Sequence, residues 1–416
     1  MNIKSLLSIV FRVYKTEGFN GVLSRTIRKI KQKDINGNVT SIASKISIFN
    51  KRDVIGFYDF ITLEDAGTTS GNVSEKAKNV INWLIPDFGI GSGGHLNIFR
   101  FISMLESKGF TNNICLVGGH RHSCEVKAKE LIDEHFFKLN AKVIFGIENL
   151  PESEFSFATG WTTAYYLRAF SRTYRKLYFV QDFEPSFYAS GSEFAFAEET
   201  YKFGFTGICA GEWLAKKLKE DYGMVTHSVG FSYDRKLYFP RESEVLERPR
   251  KKIFCYFRPP TIRRGLETAL IALDLVAKSR PDVDFIFAGW DMNDFKFDHE
   301  FENAGLLSLD KLPDIYSQCD VALVLSFTNL SLLPLEIMAC GCVVVSNDGD
   351  NVRWLLNESN SVLTSPDPKQ IANEIVNLIS DEVKLAALKE QGIIFARGTD
   401  WDTEGTKMAS YLKALS

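Results

Sequence analysis

The stretch that decides the fold reads Val321-Ala-Leu-Val-Leu-Ser326, Phe327-Thr-Asn-Leu-Ser331, Leu332-Leu-Pro-Leu-Glu336-Ile-Met-Ala-Cys-Gly341 and Cys342-Val-Val-Val-Ser346. Its first and last runs are short and apolar, which is typical of parallel strands covered on both faces. The polar residues between them, Thr328, Asn329 and Ser331, are of types that often start helices, and Gly341 suits a helix end. The stretch therefore predicts a strand, a polar turn, a helix and a second strand of an α/β sheet.

The predicted helix starts just past the carboxyl end of a parallel strand, which is where open α/β sheets bind their ligands. The unpaired N–H groups of a helix start favour an anion, most naturally a phosphate. We expect the ligand to lie against the segment Thr328, Asn329, Leu330 and Ser331, with Glu336 within reach of one of its hydroxyl groups. The plain alternative is a solvent-facing Glu336 in an unrelated sheet.

The run from Glu336 to Val345 resembles the donor-binding signature of retaining glycosyltransferases of family 4, which have the GT-B fold. That family carries two glutamates, at the positions of Thr328 and Glu336. The second glutamate holds the ribose of the nucleotide, and the first lies near the transferred sugar and the phosphates. The resemblance thus assigns the ribose to Glu336, whereas Thr328 departs from the family pattern.

Length and composition bound the other possibilities. A chain of 416 residues suits two domains, and 45% hydrophobic with 24% charged residues is typical of a globular protein. The net charge of -3 gives no case for nucleic acid as a partner. Seven cysteines without regular pairing indicate reduced thiols in a cytosol. No apolar run approaches the roughly 20 residues that cross a bilayer, and we see no secretory signal.

Residues 1–33 form a basic segment with apolar residues at helical spacing. Such a segment can lie on an anionic membrane surface, gaining about 1 kcal/mol per basic residue. The alternative is a helix that packs on the N-terminal domain with a solvated basic face. We accordingly expect a cytoplasmic protein, either free or peripheral on the inner face of the cell membrane. Residues 34–78 are polar and predict an irregular connection.

The first clear strand, residues 79–85, is followed by glycines that match G-x-G-x-x-G, namely Gly89, Gly91 and Gly94. Dinucleotide binding would need an acidic residue after the next strand, residues 113–117. The residues found there are Gly118, Gly119 and His120, so the nicotinamide hypothesis fails.

The glycine-rich loop instead resembles the loop with which family-4 enzymes approach the donor's sugar phosphate or the acceptor. On this resemblance Gly93 and Gly94 are candidates for donor binding, since glycine lets a ligand approach the backbone. His95 and His120 face the same crevice and are candidates for acceptor binding. The alternative is that they are exposed turn residues. No spacing of Cys or carboxylates makes them zinc ligands.

The predicted strand at residues 176–180 ends in Gln181 and Asp182. In the family this strand commonly ends in a histidine close to the transferred sugar, and Gln181 occupies that position. A histidine-based role therefore does not transfer, but a Gln or an Asp can hydrogen-bond sugar hydroxyls. Gln181 and Asp182 are our candidates for that catalytic role.

A second sheet begins with the predicted strand 252–257, which leads to Arg258 and then to Arg264-Gly265. The family places cations at both positions. Two fixed cations at the mouth of a sheet can clamp a diphosphate and stabilise its growing charge, at about 1.5–3 kcal/mol for each charged contact. Surface arginines are the alternative, and Arg263 reads as a neighbour on the solvent side.

By the same resemblance the donor pocket also includes Tyr256, Gly289 and Leu309. Asp348-Gly-Asp350 spells D-x-D, which binds metal in another glycosyltransferase fold. Here it follows a strand and predicts a turn. We expect neither a cofactor nor a metal.

The fold expected is α/β of the GT-B type, with two Rossmann-like domains facing a cleft and a C-terminal helix that crosses back to the N-terminal domain. The domain bounds predicted are an N-terminal extension at 1–78, an acceptor domain at 79–240 plus 396–416, and a donor domain at 241–395. The pattern Thr-Asn-x-Ser-x-x-Pro-Leu-Glu at 328–336 looks most like bacterial rhamnosyltransferases of surface-polysaccharide and S-layer glycan assembly. It suggests dTDP-L-rhamnose as donor, a glycan or lipid-linked glycan as acceptor, and retention of configuration.

Two alternatives from other classes remain. One is a nucleotide-sugar epimerase or phosphorylase on the same architecture. Donor hydrolysis or epimerisation without acceptor would favour the epimerase, and phosphate-dependent release would favour the phosphorylase. The other is a non-catalytic glycan-binding protein, which Thr328 and Gln181 favour because they replace the family's Glu and His.

Overall fold

The computed structural model describes residues 53–69, 71–241 and 250–416. The predictions for residues 1–33 and for residues 34–52 lie outside this part of the chain. The chain divides into two compact units, residues 1–59 and 60–416. In the first unit, the described residues form a single helical turn, α1 (Val54–Phe57), whose amino end is capped by Asp53 through a 2.8 Å bond from the Gly56 amide to Oδ1.

The first sheet of the second unit has seven parallel strands. They are β1 (Val80–Ile85), β2 (Thr111–Leu116), β3 (Lys142–Phe145), β4 (Ser153–Ala158), β5 (Thr173–Val180), β6 (Thr206–Ala210) and β7 (Thr226–Val229). Their order across the sheet is β3-β2-β1-β4-β5-β6-β7. The order reverses between β1 and β4, so the loops after these central strands and their neighbours open onto one crevice.

The sequence pattern missed β4, although this strand lies in the centre of the sheet. Three of its six residues are polar, which does not suit a strand covered on both faces, yet all six are buried. The polar ones find partners inside: Ser153 Oγ lies 2.9 Å from Ser156 Oγ, and Glu154 accepts the Asn79 amide at 2.7 Å. Buried polar groups with such partners cost little.

Helices cover both faces of this sheet. They are α2 (Gly93–Ser107), α3 (Glu125–His135), α4 (Trp161–Ala169), α5 (Ser192–Glu199) and α6 (Glu212–Tyr222). The core between helices and sheet is rich in aromatic rings, with Trp83 of β1 stacked on Phe157 of β4 at a centroid distance of 4.3 Å.

The second sheet has six parallel strands. They are β8 (Lys251–Tyr256), β9 (Val283–Ala288), β10 (Glu302–Gly305), β11 (Val321–Leu323), β12 (Val343–Asn347) and β13 (Ser361–Thr364). The order β10-β9-β8-β11-β12-β13 repeats the reversal of the first sheet. The stretch that opened the sequence analysis supplies the two predicted strands, β11 and β12, and they lie beside each other in the sheet.

The helices of this second half are α7 (Leu266–Ser279), α8 (Leu312–Gln318), α9 (Leu333–Ala339), α10 (Asp350–Arg353), α11 (Pro368–Ser380), α12 (Glu382–Gly398) and α13 (Trp401–Leu415). Aspartates start the last three. Asp367 accepts the amides of Lys369 and Gln370 at 3.0 Å, Asp381 accepts that of Lys384, and Asp400 accepts that of Thr403. Such N-caps satisfy amides that have no partner within the helix.

The last helix, α13, returns to the first sheet, as expected. Met408, Ala409 and Leu412 join the core of that sheet, and Glu404 accepts the Gly230 amide at 2.5 Å. The helix passes so close to α2 that a Cβ on Gly405 would lie 2.9 Å from the Met104 Cβ.

We therefore predict that Gly405→Val destabilises the protein, because the new side chain has no room beside the Met104 side chain, whose Cβ cannot move without its backbone. Overpacking of this kind costs about 1–3 kcal/mol. Chemical unfolding followed by tryptophan fluorescence would measure it. Gly398→Ala is the matched control, since no atom lies within 4 Å of a Cβ there; an equal loss in both variants would refute the close-packing explanation.

Candidate active site

The carboxyl ends of strands from the two sheets meet across a cleft. Residues after β5 face residues after β11, and Asn329 joins them. Its side-chain amide donates to the backbone oxygens of Gln181 at 3.0 Å and Ala210 at 2.7 Å. The predicted candidates on β5 and those after β11 are thus brought together.

The segment after β11 is shaped by side-chain amides of the neighbouring strand end. Ser326 donates its amide to Asn347 Oδ1 at 2.8 Å, and Asn347 Nδ2 returns a bond to the Ser326 oxygen at 2.9 Å. Asn351 Nδ2 donates to the oxygens of Ser326 and Thr328. Sequence reasoning missed both asparagines, although their position just past a buried strand was a usable signal.

The helix expected to start at Thr328 to Ser331 starts later, since α9 begins at Leu333. The reason is that the side chains of Thr328 and Asn329 bond to groups across the cleft and do not cap the helix. Pro334 is accommodated in the first turn, where no amide partner is needed. The polar segment 326–332 is therefore a loop. Leu330 within it is buried, while Ser331 is half-buried and its Oγ accepts the Leu333 amide at 3.4 Å.

Arg264 lies directly under this loop. Its Nη1 donates to Ser326 Oγ at 2.6 Å and to the Asn329 oxygen at 3.2 Å. Burial lowers the pKa of Arg264 to about 10, the Asp182 carboxylate opposes that shift, and the guanidinium is still a cation at neutral pH. Gly265, which follows it, has φ of +62°, and a Cβ there would lie 2.8 Å from the Phe327 ring. Glycine is required for this turn.

Arg258 differs from Arg264 in being exposed, although its charge is close enough to act on Arg264. The pair predicted from the sequence thus consists of one fixed cation and one at the mouth of the cleft. Arg263 was predicted to be a solvent-side neighbour, but it points into the cleft: its Nε lies 3.3 Å from Asp182 Oδ2, and its guanidinium lies 3.8 Å from the centre of the Phe187 ring.

Asp182 receives several hydrogen bonds from the opposite sheet. Oδ1 accepts the Asn329 amide at 2.7 Å, and Oδ2 accepts the Thr328 hydroxyl at 3.0 Å. Together with Arg263, these bonds satisfy the carboxylate of a residue that is only 8% exposed. Thr328, which stands where the family has a glutamate, thus has a carboxylate bound to its hydroxyl.

The glycine-rich loop enters the cleft beside Gln181. Gly93 and Gly94 form the first turn of α2, and Gln181 Nε2 donates to the Gly94 oxygen at 3.1 Å. Asn97 of the same helix donates to Gln181 Oε1 at 3.3 Å. No atom lies within 4 Å of a Cβ on Gly93, so its backbone is open to approach.

Glu336 lies on α9 against Tyr238 of the connection between the sheets. Burial raises the pKa of Glu336 to about 7, while the Tyr238 hydroxyl, which donates to it, and the positive charge of Arg100 oppose the shift. A carboxyl group that titrates near neutrality can donate or accept a hydrogen bond there, as a ribose hydroxyl requires.

The other predicted donor residues lie at the same edge of the second sheet. Gly289 follows β9 with φ of +90°, and a Cβ there would lie 2.6 Å from the Tyr256 ring. Leu309 begins a short 3-10 turn, Leu309–Lys311, and is 51% exposed. Tyr256 and Leu309 therefore offer apolar surface near the strand ends.

The candidate acceptor residues gather after β1 and β2. His95 Nδ1 lies 2.7 Å from Ser92 Oγ, and the His120 ring contacts Phe145 at a centroid distance of 4.0 Å. Burial lowers the pKa of His95 to about 4, so its imidazole is neutral. His122, which the sequence analysis did not select, packs on Phe88 and lies 3.3 Å from Asp87 Oδ1.

Within the part of the chain that the structure describes, no cluster of three or more Cys, His, Asp or Glu side chains could hold a metal ion. Asp348 of the D-x-D sequence pairs with Arg353 at 2.6 Å, and Asp350 starts α10. Among the described helices, none has the length and apolarity needed to span a bilayer.

Two domain models of one family match the chain: the C-terminal domain of WsaF at residues 251–376 and its N-terminal domain at residues 140–209. The O-antigen biosynthesis protein RfbC of Myxococcus xanthus is 31% identical over 335 residues, which are 77% of this chain and 26% of that protein. The chain thus spans about a quarter of the length of this curated relative.

Solved structures share the fold at low identity. Alr3699/HepE of Anabaena in complex with UDP-glucose superposes with a TM-score of 0.64 at 16% identity, covering 80% of this chain and 99% of that one. Sucrose-phosphate synthase of Thermosynechococcus elongatus gives 0.62 at 14% identity, covering 81% and 98%. A glycosyltransferase of Rickettsia africae gives 0.59 at 13% identity, covering 80% and 98%. With its two parallel sheets, the chain has the GT-B fold.

Because burial holds the pKa of Glu336 at about 7, above its ordinary value of 4.5, this group makes folding depend on pH. The folded protein favours the neutral form of Glu336. The resulting contribution to the free energy of unfolding is fully present below pH 4.5 and is lost as the pH rises through 7. We predict that Glu336→Gln, which stays neutral, gains about 3 kcal/mol relative to wild type between those pH values.

Chemical unfolding at a series of pH values would measure this difference. Glu358→Gln is the control, since Arg353 lowers the pKa of that exposed carboxylate and no loss is expected over the same range. If the difference in unfolding free energy between Glu336→Gln and wild type did not change with pH, the raised pKa of Glu336 would be contradicted.

Proposed function

We propose that this chain is a glycosyltransferase that transfers a sugar from a nucleotide-diphospho-sugar to a growing cell-surface glycan. The observation that carries the proposal is the set of cations at the carboxyl edge of the second sheet, facing a polar edge of the first. The matches to both WsaF domains and to an O-antigen biosynthesis protein support a glycosyltransferase-type enzyme. Relatives of the same fold bind UDP or UDP-glucose, which favours a nucleotide-sugar donor.

The donor we propose is dTDP-L-rhamnose. The support is the resemblance of residues 328–336 to bacterial rhamnosyltransferases. A thymidine nucleotide has a deoxyribose, whose 3′-hydroxyl would meet Glu336, while Tyr256 and Leu309 offer apolar surface to the nucleotide. A glycan acceptor would lie on the first sheet, at His95 and His120. We further propose that it is linked to a lipid, and that residues 1–33 contact the membrane that carries it.

The reaction we propose follows from the charges. The bond between the sugar's anomeric carbon and the phosphate oxygen breaks as the carbon gains positive charge and the diphosphate leaves with negative charge. Arg264, held in place by Ser326, and Arg258 at the mouth would stabilise the departing diphosphate. We propose that the oxygen of the acceptor hydroxyl forms the new bond to the anomeric carbon with retention of configuration, and that the departing phosphate oxygen takes the proton of that hydroxyl. Gln181 and Asp182 would bind hydroxyls of the transferred sugar.

Arg264→Ala should abolish transfer, with a loss of at least about 100-fold in kcat, because a fixed donor to developing charge is removed. Release of dTDP from dTDP-L-rhamnose, with water or a simple glycoside as acceptor, would measure it. Arg280→Ala is the control, since Arg280 is paired with Asp282 at the far end of α7. Wild-type turnover by Arg264→Ala would remove the diphosphate-clamp assignment.

A panel of dTDP-, UDP-, GDP- and ADP-sugars in thermal unfolding tests the donor. Ligands that bind the folded chain stabilise it by about 2.7 kcal/mol at a hundredfold excess over Kd. We expect the largest shift with dTDP-L-rhamnose. A larger shift with another nucleotide sugar would overturn the rhamnose assignment, and no shift with any of them would overturn the proposed activity.

A further inference from the structure

Three hydrogen-bond donors of the second sheet surround the carboxylate of Asp182, which belongs to the first. They are the Asn329 amide at 2.7 Å, the Thr328 hydroxyl at 3.0 Å and the Arg263 Nε at 3.3 Å. We call these three donors the anion subsite. Oδ1 accepts from the Asn329 amide, and Oδ2 accepts from the other two donors. Oδ1 also accepts the Phe183 amide of its own strand end at 2.8 Å, and that donor is not part of the anion subsite.

The anion subsite is suited to an oxyanion of more than one charge. It combines a backbone N–H, a hydroxyl and a cation in a place that is largely shielded from water, where such bonds are strong. The Arg263 guanidinium lies on the Phe187 ring at 3.8 Å, so its orientation is set by packing. Arg264 lies within electrostatic reach of Asp182 and Arg263, and Arg258 lies within reach of Arg264. The three arginines outnumber the two acidic residues nearby, Asp182 and Glu184, which leaves an excess of positive charge.

We infer that the anion subsite binds phosphoryl oxygens of the donor and that Asp182 is an internal occupant which the donor displaces. The inference rests on the proposed function for the identity of the ligand, a nucleoside diphosphate. The Asn329 amide and the Thr328 hydroxyl each have one hydrogen to donate, so they cannot serve the carboxylate and a phosphate together. Because Asp182 and the subsite belong to different sheets, displacement either rotates this side chain or moves the two strand ends apart.

This arrangement has a measurable consequence for affinity. If only a fraction of the molecules has the subsite vacated, the apparent Kd of a diphosphate is the intrinsic Kd divided by that fraction. Weakening the internal occupant therefore tightens binding. A purely structural role for Asp182 predicts the opposite change in affinity, since a substitution that disrupts the cleft would weaken diphosphate binding.

The test is the Kd of dTDP and of inorganic pyrophosphate, measured by titration calorimetry on the full chain. In Asp182→Asn, one oxygen becomes an NH2 group that faces hydrogen-bond donors, so the internal contact is weakened at nearly constant shape. We expect both ligands to bind about tenfold more tightly than to wild type. Asp182→Ala, which removes the occupant altogether, should do the same.

Asp320→Asn is the matched control. Asp320 is also a largely buried carboxylate, paired with Lys389 at 2.8 Å, but it precedes β11 and lies at the opposite end of that strand. This variant loses a comparable ion pair, and its affinity for dTDP should equal that of wild type. Tighter binding by this control would show that loosening the fold suffices, which would overturn the inference.

The variant Arg263→Gln tests whether Arg263 contacts the bound diphosphate or only pairs with Asp182. It weakens the contact of the subsite with Asp182 but also removes one of the three donors to the ligand, so we expect dTDP to bind about tenfold more weakly. Tighter binding by Arg263→Gln would exclude Arg263 from the subsite. If both Asp182 variants bound dTDP as wild type does, or more weakly, the inference that Asp182 occupies the subsite and is displaced by the donor would be overturned.

The two proposals fail differently. If wild type binds dTDP and turns over dTDP-L-rhamnose while Asp182→Asn binds no more tightly, the internal occupant is wrong and the proposed function stands. If no nucleotide binds to any variant but pyrophosphate binds more tightly to Asp182→Asn, the subsite stands and the proposed function is wrong. If neither ligand binds to any variant, both are wrong.

Discussion

The contact between the Asp182 carboxylate and the loop after β11 is the constraint on which the cleft depends. A carboxylate this far from water is stable only when its oxygens are bonded. The Phe183 amide next to it donates to Oδ1 at 2.8 Å, and the bonds across the cleft come from the Asn329 amide, the Thr328 hydroxyl and Arg263. This requirement fixes the loop in a non-helical form and delays the start of α9 until Leu333. The geometry of the second sheet's edge is therefore determined in part by a residue of the first.

The buried charge of Arg264 explains why the carboxyl edge of the second sheet is lined with polar groups. Arg264 is so far buried that its pKa falls to about 10, and it keeps its charge by bonding to Ser326 Oγ and the Asn329 oxygen. Ser326 is itself positioned by Asn347 through a pair of bonds to its backbone, and its hydroxyl also contacts the Asn329 oxygen at 2.9 Å. A chain of hydrogen bonds thus runs from a strand end to a cation. Preorganisation of this kind reduces the cost of stabilising charge in a transition state.

The sequence alone predicted the architecture well because its signals are local. Short apolar runs such as 321–326 and 342–346 determine strands, and the positions of Arg258 and Arg264 follow from where the first strand of a sheet ends. The helix return of α13 was expected from resemblance and is observed. Strand β4 was missed because its polar residues, such as Glu154, are satisfied by partners distant in sequence, which no local pattern reveals.

The candidate site was less predictable, for the same physical reason. Arg263 and Arg264 are adjacent in sequence, and nothing local decides which of them meets the opposite sheet; the 3-10 turn Ile262–Arg264 turns one guanidinium towards Phe187 and the other under Ser326. Asn347 was overlooked because its role is to bond a backbone that is remote in the chain. Roles that depend on contacts between strand ends need the three-dimensional structure.

Asp182 connects these observations with the role that the sequence suggested for it. A residue at the end of β5 was expected to bind hydroxyls of the transferred sugar, yet its carboxylate is bonded to the second sheet. Asp182 can have both roles if it takes them one after the other. When a phosphate of the donor enters the anion subsite, it releases the Asp182 carboxylate, which then lies beside the sugar attached to that phosphate. The released Asp182 carboxylate would then accept a hydrogen bond from a hydroxyl of the sugar. The site would therefore need no carboxylate at position 328, where the family has a glutamate and this chain has Thr328. Binding energy of the diphosphate would in this way be used to complete the site around the reacting carbon.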